Sequence, residues 1–175
     1  TGFYGADEKT RTYYYQAADV SPMERQVYSI TETGKKKLLS AASGTNEARF
    51  SNGFKYFINT SSFADSPYEC ALYSNEGKLI RVLEDNKGVK ESMAKFVLSK
   101  KEFFNFKITE GIQLNGWMIK PKDFDTSKKY PVFQFMYGGP GSNTVNNAWE
   151  STNYFYWQML AQKGFRIPAH PRSNY

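Results

Sequence analysis

The feature that most constrains this chain is a repeat of strand-like segments in its first half. Residues 12–16 (TYYYQ) match residues 55–59 (KYFIN), so that Tyr13 corresponds to Tyr56 at an offset of 43 positions. Two further matches keep the same order, 27–29 with 72–74 and 34–35 with 77–78. A repeat of about 40 residues is typical of the blades of a β-propeller, each of which is a four-stranded sheet.

Each repeat predicts a strand, a polar loop, a second strand, a glycine turn and a third strand, with one strand of the blade weakly signalled. A propeller closes with roughly four to eight blades, so two blades predict further chain on the N-terminal side. The alternative is a plain β-meander whose spacing agrees by chance.

Composition narrows the class of protein. The 175 residues are 40% hydrophobic and 23% charged, which is typical of a globular protein rather than a disordered or membrane-embedded one. Aromatic residues make up 17%, and large rings favour β-strands. No apolar run approaches the roughly 20 residues needed to cross a bilayer, so we expect no membrane span in this segment.

The charge and the single cysteine exclude further classes. The net charge of +6 comes from dispersed lysines, whose clusters at 35–37, 100–101 and 128–129 are expected in turns or loops. We therefore predict a solvated surface and no nucleic-acid partner. Cys70 is the one cysteine, which excludes an intrachain disulfide and a multi-cysteine metal site.

The second half of the chain has a different pattern. The charged stretch 88–101 predicts a linker with one helical turn. Alternating apolar positions at 103–108 and 112–119 predict a hairpin. The almost continuously apolar run 130–137 predicts a strand buried on both faces of a mostly parallel sheet.

A glycine-rich loop and then a helix follow this run. Thr152 or Asn153 can cap the start of the helix, and Gly164 suits its end. Four large apolar residues share one helical face: Trp149, Tyr156, Met159 and Leu160. Loops between a parallel strand and the next helix are where open α/β sheets place their ligand sites.

The candidate site is this loop, formed by Tyr137, Gly138, Gly139, Pro140 and Gly141. A tyrosine phenol stays protonated near neutral pH and can donate a hydrogen bond to an oxyanion. The alternative is a tyrosine that merely ends a core strand. A phosphate-binding loop is disfavoured, because the glycines have neither the GxGxxG spacing nor the GK[ST] ending of a P-loop.

The remaining parts of an acyl-transfer site are not found in this sequence. No GxSxG motif occurs, and Ser142 lacks the required glycine two positions later. His170 is the only histidine, lies near the terminus and is expected to be solvent-exposed. The chain as written therefore cannot assemble a serine, histidine and carboxylate triad, and it offers no spaced metal ligands.

Four ordered motifs together resemble the dipeptidyl peptidase IV branch of the prolyl oligopeptidase family. They are LIRVLEDN at 79–86, NGWMIKP at 115–121, SKKYPV at 127–132 and YGGPG at 137–141. The motif SPMER at 21–25 is similar to bacterial members of that branch. The ordered set is far more specific than any one motif, and it indicates an internal piece of such a protein.

The resemblance implies a mixed fold, in which the C-terminal blades of a β-propeller precede the first strands and helix of an α/β-hydrolase domain. We expect two partial blades at 1–87, a linker at 88–102, the start of the hydrolase domain at 103–165 and an atypical tail at 166–175. The family continues with an apolar strand where this chain has Pro168 and Pro171. Two prolines predict a poor central strand.

The resemblance also implies a function. Enzymes of this family remove N-terminal dipeptides with proline or alanine in second position, and Tyr137 aligns with the tyrosine that helps to hold the oxyanion. The serine, aspartate and histidine are expected outside this chain, which would be inactive alone. We expect no cofactor; the expected partners are a peptide substrate, the remainder of the parent chain and a possible second copy in a homodimer, in the periplasm or at the cell surface. The alternatives are a non-catalytic β-rich binding or scaffold module, or a silent peptidase homologue.

Overall fold

A computed structural model of the chain describes residues 2–108, 111–136 and 143–169. It divides into two compact units: unit 1 is Thr1–Lys90 with Asn147–Trp149, and unit 2 is Glu91–Asn146 with Glu150–Tyr175. Antiparallel strands predominate in both. Across the described ranges, no helix is long and apolar enough to cross a membrane.

Unit 1 contains two four-stranded antiparallel sheets, each with its strands in chain order. The first sheet is β1 (Gly2–Asp7), β2 (Thr12–Ala17), β3 (Gln26–Thr31) and β4 (Lys36–Leu38). The second is β5 (Thr45–Phe50), β6 (Tyr56–Phe63), β7 (Ser66–Ser74) and β8 (Leu79–Glu84). Tyr13 and Tyr56 lie in the second strand of their respective sheets, so the predicted repeat is confirmed. The arrangement is consistent with propeller-like blades.

The weakly signalled strand of each repeat is the first one. Strands β1 (GFYGAD) and β5 (TNEARF) contain glycine, alanine and asparagine, which have low β-propensity. Asn46 of β5 is fully buried; its side-chain amide donates to the Arg25 carbonyl at 3.0 Å, and its Oδ1 accepts from Asn59 Nδ2 at 3.0 Å. Because polar side-chain bonds help to hold β5, the sequence shows no hydrophobic alternation there.

The core of unit 1 is aromatic. Five buried residues form it: Tyr14, Val27, Leu39, Ala48 and Phe57. The rings of Tyr14 and Phe54 stack with centroids 5.1 Å apart, and those of Phe50 and Phe57 lie 4.9 Å apart. Burial raises the pKa of the Tyr14 phenol above its usual value. Aromatic rings therefore make up a large part of the core of unit 1.

Gly44 precedes β5 in a backbone conformation that a side chain disfavours. Its φ is +77°, and a Cβ atom would lie 2.5 Å from the Ser62 carbonyl oxygen. We expect Gly44→Ala to lower the free energy of unfolding of this unit by about 2–3 kcal/mol, because left-handed strain adds to overpacking. Amide hydrogen exchange of β5 and β6 in the complete protein measures the change.

The matched control is Gly53→Ala, since Gly53 has a similar φ of +74° but no atom within 4 Å of the added Cβ. Only the strain of about 1–2 kcal/mol is expected there. Equal losses in the two variants would contradict the role of the Ser62 contact.

A short segment from the second half of the chain, Asn147–Trp149, belongs to unit 1. The Asn147 backbone N–H donates to the Met23 carbonyl at 2.8 Å, and its Nδ2 donates to Glu24 Oε1 at 2.8 Å. Its Oδ1 accepts from the Ala64 N–H at 3.0 Å. Trp149, predicted on the face of a helix, lies in this segment instead.

The charged stretch predicted as a linker contains α1 (Lys87–Met93), a helix of seven residues with none buried. Its lack of a buried face explains why hydrophobic periodicity gave only a weak helical signal there. The presence of α1 confirms the helical turn predicted for this stretch.

Unit 2 contains a three-stranded sheet in the order β11-β10-β9 and a helix, α2 (Thr152–Gln162). Strands β9 (Lys101–Lys107), β10 (Gln113–Ile119) and β11 (Ile167–Ala169) pair antiparallel. The predicted hairpin is confirmed by continuous pairing from Gln113↔Lys107 to Ile119↔Lys101.

Pro168, from which a poor central strand was predicted, lies within a strand of three residues. Pro168 lies in β11, whose Ile167 and Ala169 are fully buried. The Pro168 carbonyl accepts from the Phe135 N–H at 3.0 Å. Because the nitrogen and the carbonyl of one strand residue point to the same edge, the proline nitrogen, which carries no hydrogen, also points away from β10. The ladder to β10 therefore loses no hydrogen bond to the proline. Pro171, with the rest of 170–175, lies outside the described residues.

The prediction of a regular strand buried on both faces at 130–137 is also wrong for residues 130–136. This run forms isolated parallel bridges, Val132↔Arg166 and Phe135↔Ala169. Val132 is 57% exposed and Met136 44% exposed. Within the described part of the chain, this run pairs along one edge only, with β11 and the residue before it. A prediction from apolar composition alone therefore overestimated the burial of the run.

Helix α2 buries a different face from the predicted one. Its buried residues are Tyr154, Trp157, Gln158 and Ala161, whereas Tyr156 and Met159 are more than 40% exposed. Gln158 is buried although it is polar, because its side-chain amide exchanges two hydrogen bonds with the Ser99 backbone. A helical face identified by its apolar residues alone therefore missed this position. Ser151, rather than Thr152 or Asn153, is the N-cap, and the helix ends before Gly164 as predicted.

Candidate functional site

The predicted oxyanion residues Tyr137, Gly138, Gly139, Pro140 and Gly141 lie outside the described residues, as do Ser142 and His170. Their roles therefore stay predictions. The structure defines the two flanks of the segment, residues 131–136 before it and 143–146 after it, both in unit 2.

The preceding flank runs parallel to β11. The Phe133 N–H donates to the Arg166 carbonyl at 2.9 Å, and the Arg166 N–H donates to the Pro131 carbonyl at 2.9 Å. The Phe135 ring lies 5.2 Å from that of Trp157 in α2. Because the two segments are parallel, Met136 and Ala169 lie towards the same, carboxyl edge of the sheet.

The following flank is held by a side chain of β10. The Trp117 indole N–H donates to the Thr144 carbonyl oxygen at 3.1 Å. Val145 is 1% exposed, and its N–H donates to Asn143 Oδ1 at 3.0 Å. Residues 143–145 are thus held by one hydrogen bond from the sheet and by another between Val145 and Asn143.

Beneath Trp117 lies a buried ion pair that sequence reasoning missed. The Lys101 side chain is fully buried, with Nζ 3.0 Å from Glu150 Oε2 and 4.5 Å from the centre of the Trp117 ring. The same Glu150 oxygen accepts from the Trp157 indole N–H at 3.2 Å. A desolvated ammonium over an indole ring is attracted by the ring as well as by the carboxylate.

Lys101 was predicted in a solvated loop, and this prediction is wrong. Lys101 opposes Ile119 in the β9–β10 ladder and points to the same face as Phe103, two residues later. Extending the alternation of the predicted strand back by two residues would have placed it on that face. Because Lys100 precedes it in the sequence, Lys101 was instead assigned to a solvent-exposed pair of lysines.

An open cavity of about 620 Å³ in unit 2 is rich in positive charge. Its lining includes four cations: Lys120, Lys128, Lys129 and Arg166. Nearby, hydrogen bonds from the Ser127 N–H and hydroxyl lower the pKa of Asp125. Among the described residues that line this cavity, the charged side chains are all cations, so the cavity attracts anions.

No group of three or more His, Cys, Asp or Glu side chains that could hold a metal ion occurs within 2–108, 111–136 or 143–169.

Known proteins resemble the chain in sequence and in structure. The family model of the dipeptidyl peptidase IV (DPP IV) N-terminal region matches residues 1–68. Probable dipeptidyl-aminopeptidase B of Trichophyton verrucosum (strain HKI 0517) is 32% identical over 147 residues, and human dipeptidyl peptidase 8 is 31% identical over 172 residues. The crystal structure of Porphyromonas gingivalis dipeptidyl peptidase 4 matches with a TM-score of 0.92 and 37% identity over 98% of this chain. The chain belongs to the dipeptidyl peptidase IV family.

Within this family, the chain corresponds to a limited part of its relatives. The fungal alignment covers 81% of this chain and 16% of the relative, and the human one covers 92% and 19%. The chain spans 24% of the P. gingivalis protein. The family resemblance carried by the sequence motifs is confirmed.

Proposed function

We propose that the chain is part of a serine-type dipeptidyl peptidase, which releases N-terminal dipeptides with proline or alanine in second position. The observation that carries the proposal is the parallel alignment of residues 132–135 with β11, joined through α2. Open α/β sheets bind their ligands beyond the carboxyl ends of parallel strands, so we expect the ligand site in the segment of the sequence that follows Met136 and begins with Tyr137.

The sheet of unit 2 supports the further proposal that an α/β-hydrolase domain begins here. Strands β9, β10 and β11 pair antiparallel, and the run 132–135 then adds parallel to β11. A crossover helix is the usual way to connect two parallel neighbours, and α2 lies between them in the chain.

In the proposed mechanism, the Tyr137 phenol donates a hydrogen bond to the oxyanion of the tetrahedral intermediate. A donor placed where negative charge develops stabilises the transition state more than the substrate, and so raises kcat. This chain has no GxSxG motif and a single histidine, so the nucleophile, the base and its carboxylate partner come from other parts of the complete protein.

The test is cleavage of Gly-Pro-p-nitroanilide by the complete protein that contains this chain. We expect release of p-nitroaniline from this substrate and from its Ala-Pro and Gly-Ala analogues. N-acetyl-Gly-Pro-p-nitroanilide should resist cleavage, since a dipeptidyl peptidase requires a free amine. An organophosphorus reagent that phosphorylates active serines should abolish the activity.

The control substrate is Gly-Gly-p-nitroanilide, which keeps the free amine but lacks the second-position side chain. Cleavage of the N-acetylated substrate at the same rate would exclude the dipeptidyl specificity. No cleavage of any substrate by the folded protein would favour a silent homologue or a binding module.

A further inference from the structure

The cationic cavity of unit 2 gathers positive charge from three separate segments. Lys120 follows the last residue of β10, and Arg166 precedes the first residue of β11. Lys128 and Lys129 come from the loop between β10 and the run 132–135. We propose that this cavity binds a phosphate group, carried either by a small molecule in solution or by a lipid headgroup. Such a site goes beyond the proposed peptidase function and does not depend on it.

Strand pairing brings two of these cations to the same edge of the sheet. The ladder between β10 and β11 ends there with the pair Ile119↔Ile167. Lys120 and Arg166 each lie one residue beyond that pair. The Phe124 ring lies near both, with its centre 5.4 Å from Lys120 Nζ and 5.9 Å from Arg166 Cζ. Because like charges that face each other across a ladder repel, a bound anion stabilises this arrangement.

Lys129 and Arg166 contribute charge that is not neutralised by a neighbouring carboxylate. Within the described ranges, no Asp or Glu oxygen lies within 4.0 Å of either charged group. The other two lysines of the lining each contact one carboxylate, that of Glu102 at 2.5 Å and that of Asp125 at 3.6 Å. Four cations and two carboxylates leave two positive charges. A concave surface with an excess of one sign concentrates the field that attracts an anion.

The Arg166 guanidinium is oriented with two of its nitrogens available to a ligand. Its Nε donates to Met118 Sδ at 2.8 Å, and its backbone bonds Pro131 and Phe133. Among the residues that the structure describes, its two Nη atoms have no acceptor. A guanidinium held in this way binds two oxygens of one phosphate group, and the Lys129 ammonium adds a second charge. A phosphate dianion therefore matches the two unpaired cations better than a single carboxylate does.

The loop that carries the lysines is ordered by its own contacts. The Tyr130 hydroxyl accepts from the Asp125 N–H at 2.8 Å and donates to the Asp123 carbonyl at 3.3 Å. Asp125 Oδ1 accepts from the Ser127 N–H at 2.9 Å. The rings of Phe124 and Tyr130 stack with their centres 4.9 Å apart. Because the loop is already held in place, a ligand loses less of its binding free energy to ordering the chain.

The experiment measures binding by the complete protein in two arms. Isothermal titration calorimetry uses pyrophosphate, and cosedimentation uses phosphatidylglycerol vesicles with phosphatidylcholine vesicles as the control. At low ionic strength we expect saturable binding in at least one arm, with a Kd for pyrophosphate below about 1 mM. Binding of pyrophosphate alone would identify a soluble phosphate as the ligand, and binding of the vesicles alone a lipid headgroup. No binding in either arm would overturn the proposal.

Two variants test whether the cavity is the site of this binding. Arg166→Gln removes the guanidinium and should raise Kd at least about tenfold. Lys129→Gln removes one unpaired charge and should raise Kd about threefold or more. Since Arg166 also packs near Phe124, the exposed Lys129 provides a variant that leaves the packing intact. Unchanged binding in Lys129→Gln and in a folded Arg166→Gln would place the ligand elsewhere and overturn the proposal.

The matched control is Lys107→Gln, which removes the same charge from an exposed position of the same sheet. Lys107 lies at the far end of β9 from Lys101, and Lys101 opposes Ile119 at the edge next to the cavity. Six residues of strand separate the two lysines by about 20 Å, which exceeds the Debye length of about 8–10 Å. We expect Kd to change less than about 1.5-fold. Equal losses in Lys107→Gln and Lys129→Gln would mean that net charge alone attracts the anion, and would contradict a site in the cavity.

Discussion

Replacing Tyr137 with phenylalanine is expected to lower kcat of the complete protein by about 10²–10³-fold, the usual effect of removing one oxyanion donor. The change deletes a single hydroxyl and keeps the aromatic ring. Since the hydrogen bond strengthens as negative charge develops on the oxygen, KM should change little while kcat and kcat/KM fall together. Steady-state kinetics with Gly-Pro-p-nitroanilide measure the effect.

Tyr130→Phe is the matched control for this experiment. Tyr130 precedes the same flank, and its hydroxyl is used locally, accepting from the Asp125 N–H at 2.8 Å. Its loss should leave kcat within about twofold of the wild type. If Tyr137→Phe behaved like this control, Tyr137 would have no place in the mechanism.

The parts of the fold that the sequence predicts are those with local signals. The paired strands around Tyr13 and Tyr56 combine aromatic, β-prone residues with glycine turns a fixed distance away. In both repeats the turn recurs in the structure: the Gly34 N–H donates to the Thr31 carbonyl, and the Gly77 N–H to the Ser74 carbonyl, each at 2.9 Å. Hairpins need only neighbours in sequence, so a single sequence suffices.

The parts that the sequence analysis missed or mispredicted depend on distant partners. Asn46, Gln158 and Lys101 are all buried polar residues whose hydrogen bonds or ion pairs connect separate elements. Local hydrophobicity assigns such residues to the surface, because burial of a polar group is costly unless a partner is present. The partners appear only after the chain has folded.

In the candidate site, too, the features with a local sequence signal were predicted, and those that depend on distant partners were not. The motif around Tyr137 is one of the four ordered motifs that together indicated the family, and the catalytic role of Tyr137 stays a prediction because the residue lies outside the described ranges. The hydrogen bond from Trp117 to Thr144 could not be predicted, since it joins a strand residue to a distant loop through one side-chain nitrogen. No periodic pattern encodes such a contact.

Phe57→Ala is expected to have the largest effect on stability, lowering the free energy of opening of the aromatic core by about 3–5 kcal/mol. Phe57 is 1% exposed, and its ring lies 4.9 Å from that of Phe50 and 5.3 Å from that of Tyr73. Alanine would remove these contacts and leave a cavity that the sheets, held by their ladders, can close only in part. Amide hydrogen exchange of β6 and β7 in the complete protein reports the change.

Tyr56→Ala controls for the loss of an aromatic residue from the same strand. Tyr56 points to the opposite face of β6 and is 48% exposed, so its removal creates no internal cavity. The opening free energy should then fall by less than about 1 kcal/mol. Similar losses in the two variants would mean that strand propensity, rather than packing in the aromatic core, stabilises this unit. A large difference is expected because Phe57 belongs to the buried cluster and its ring contacts Phe50 and Tyr73.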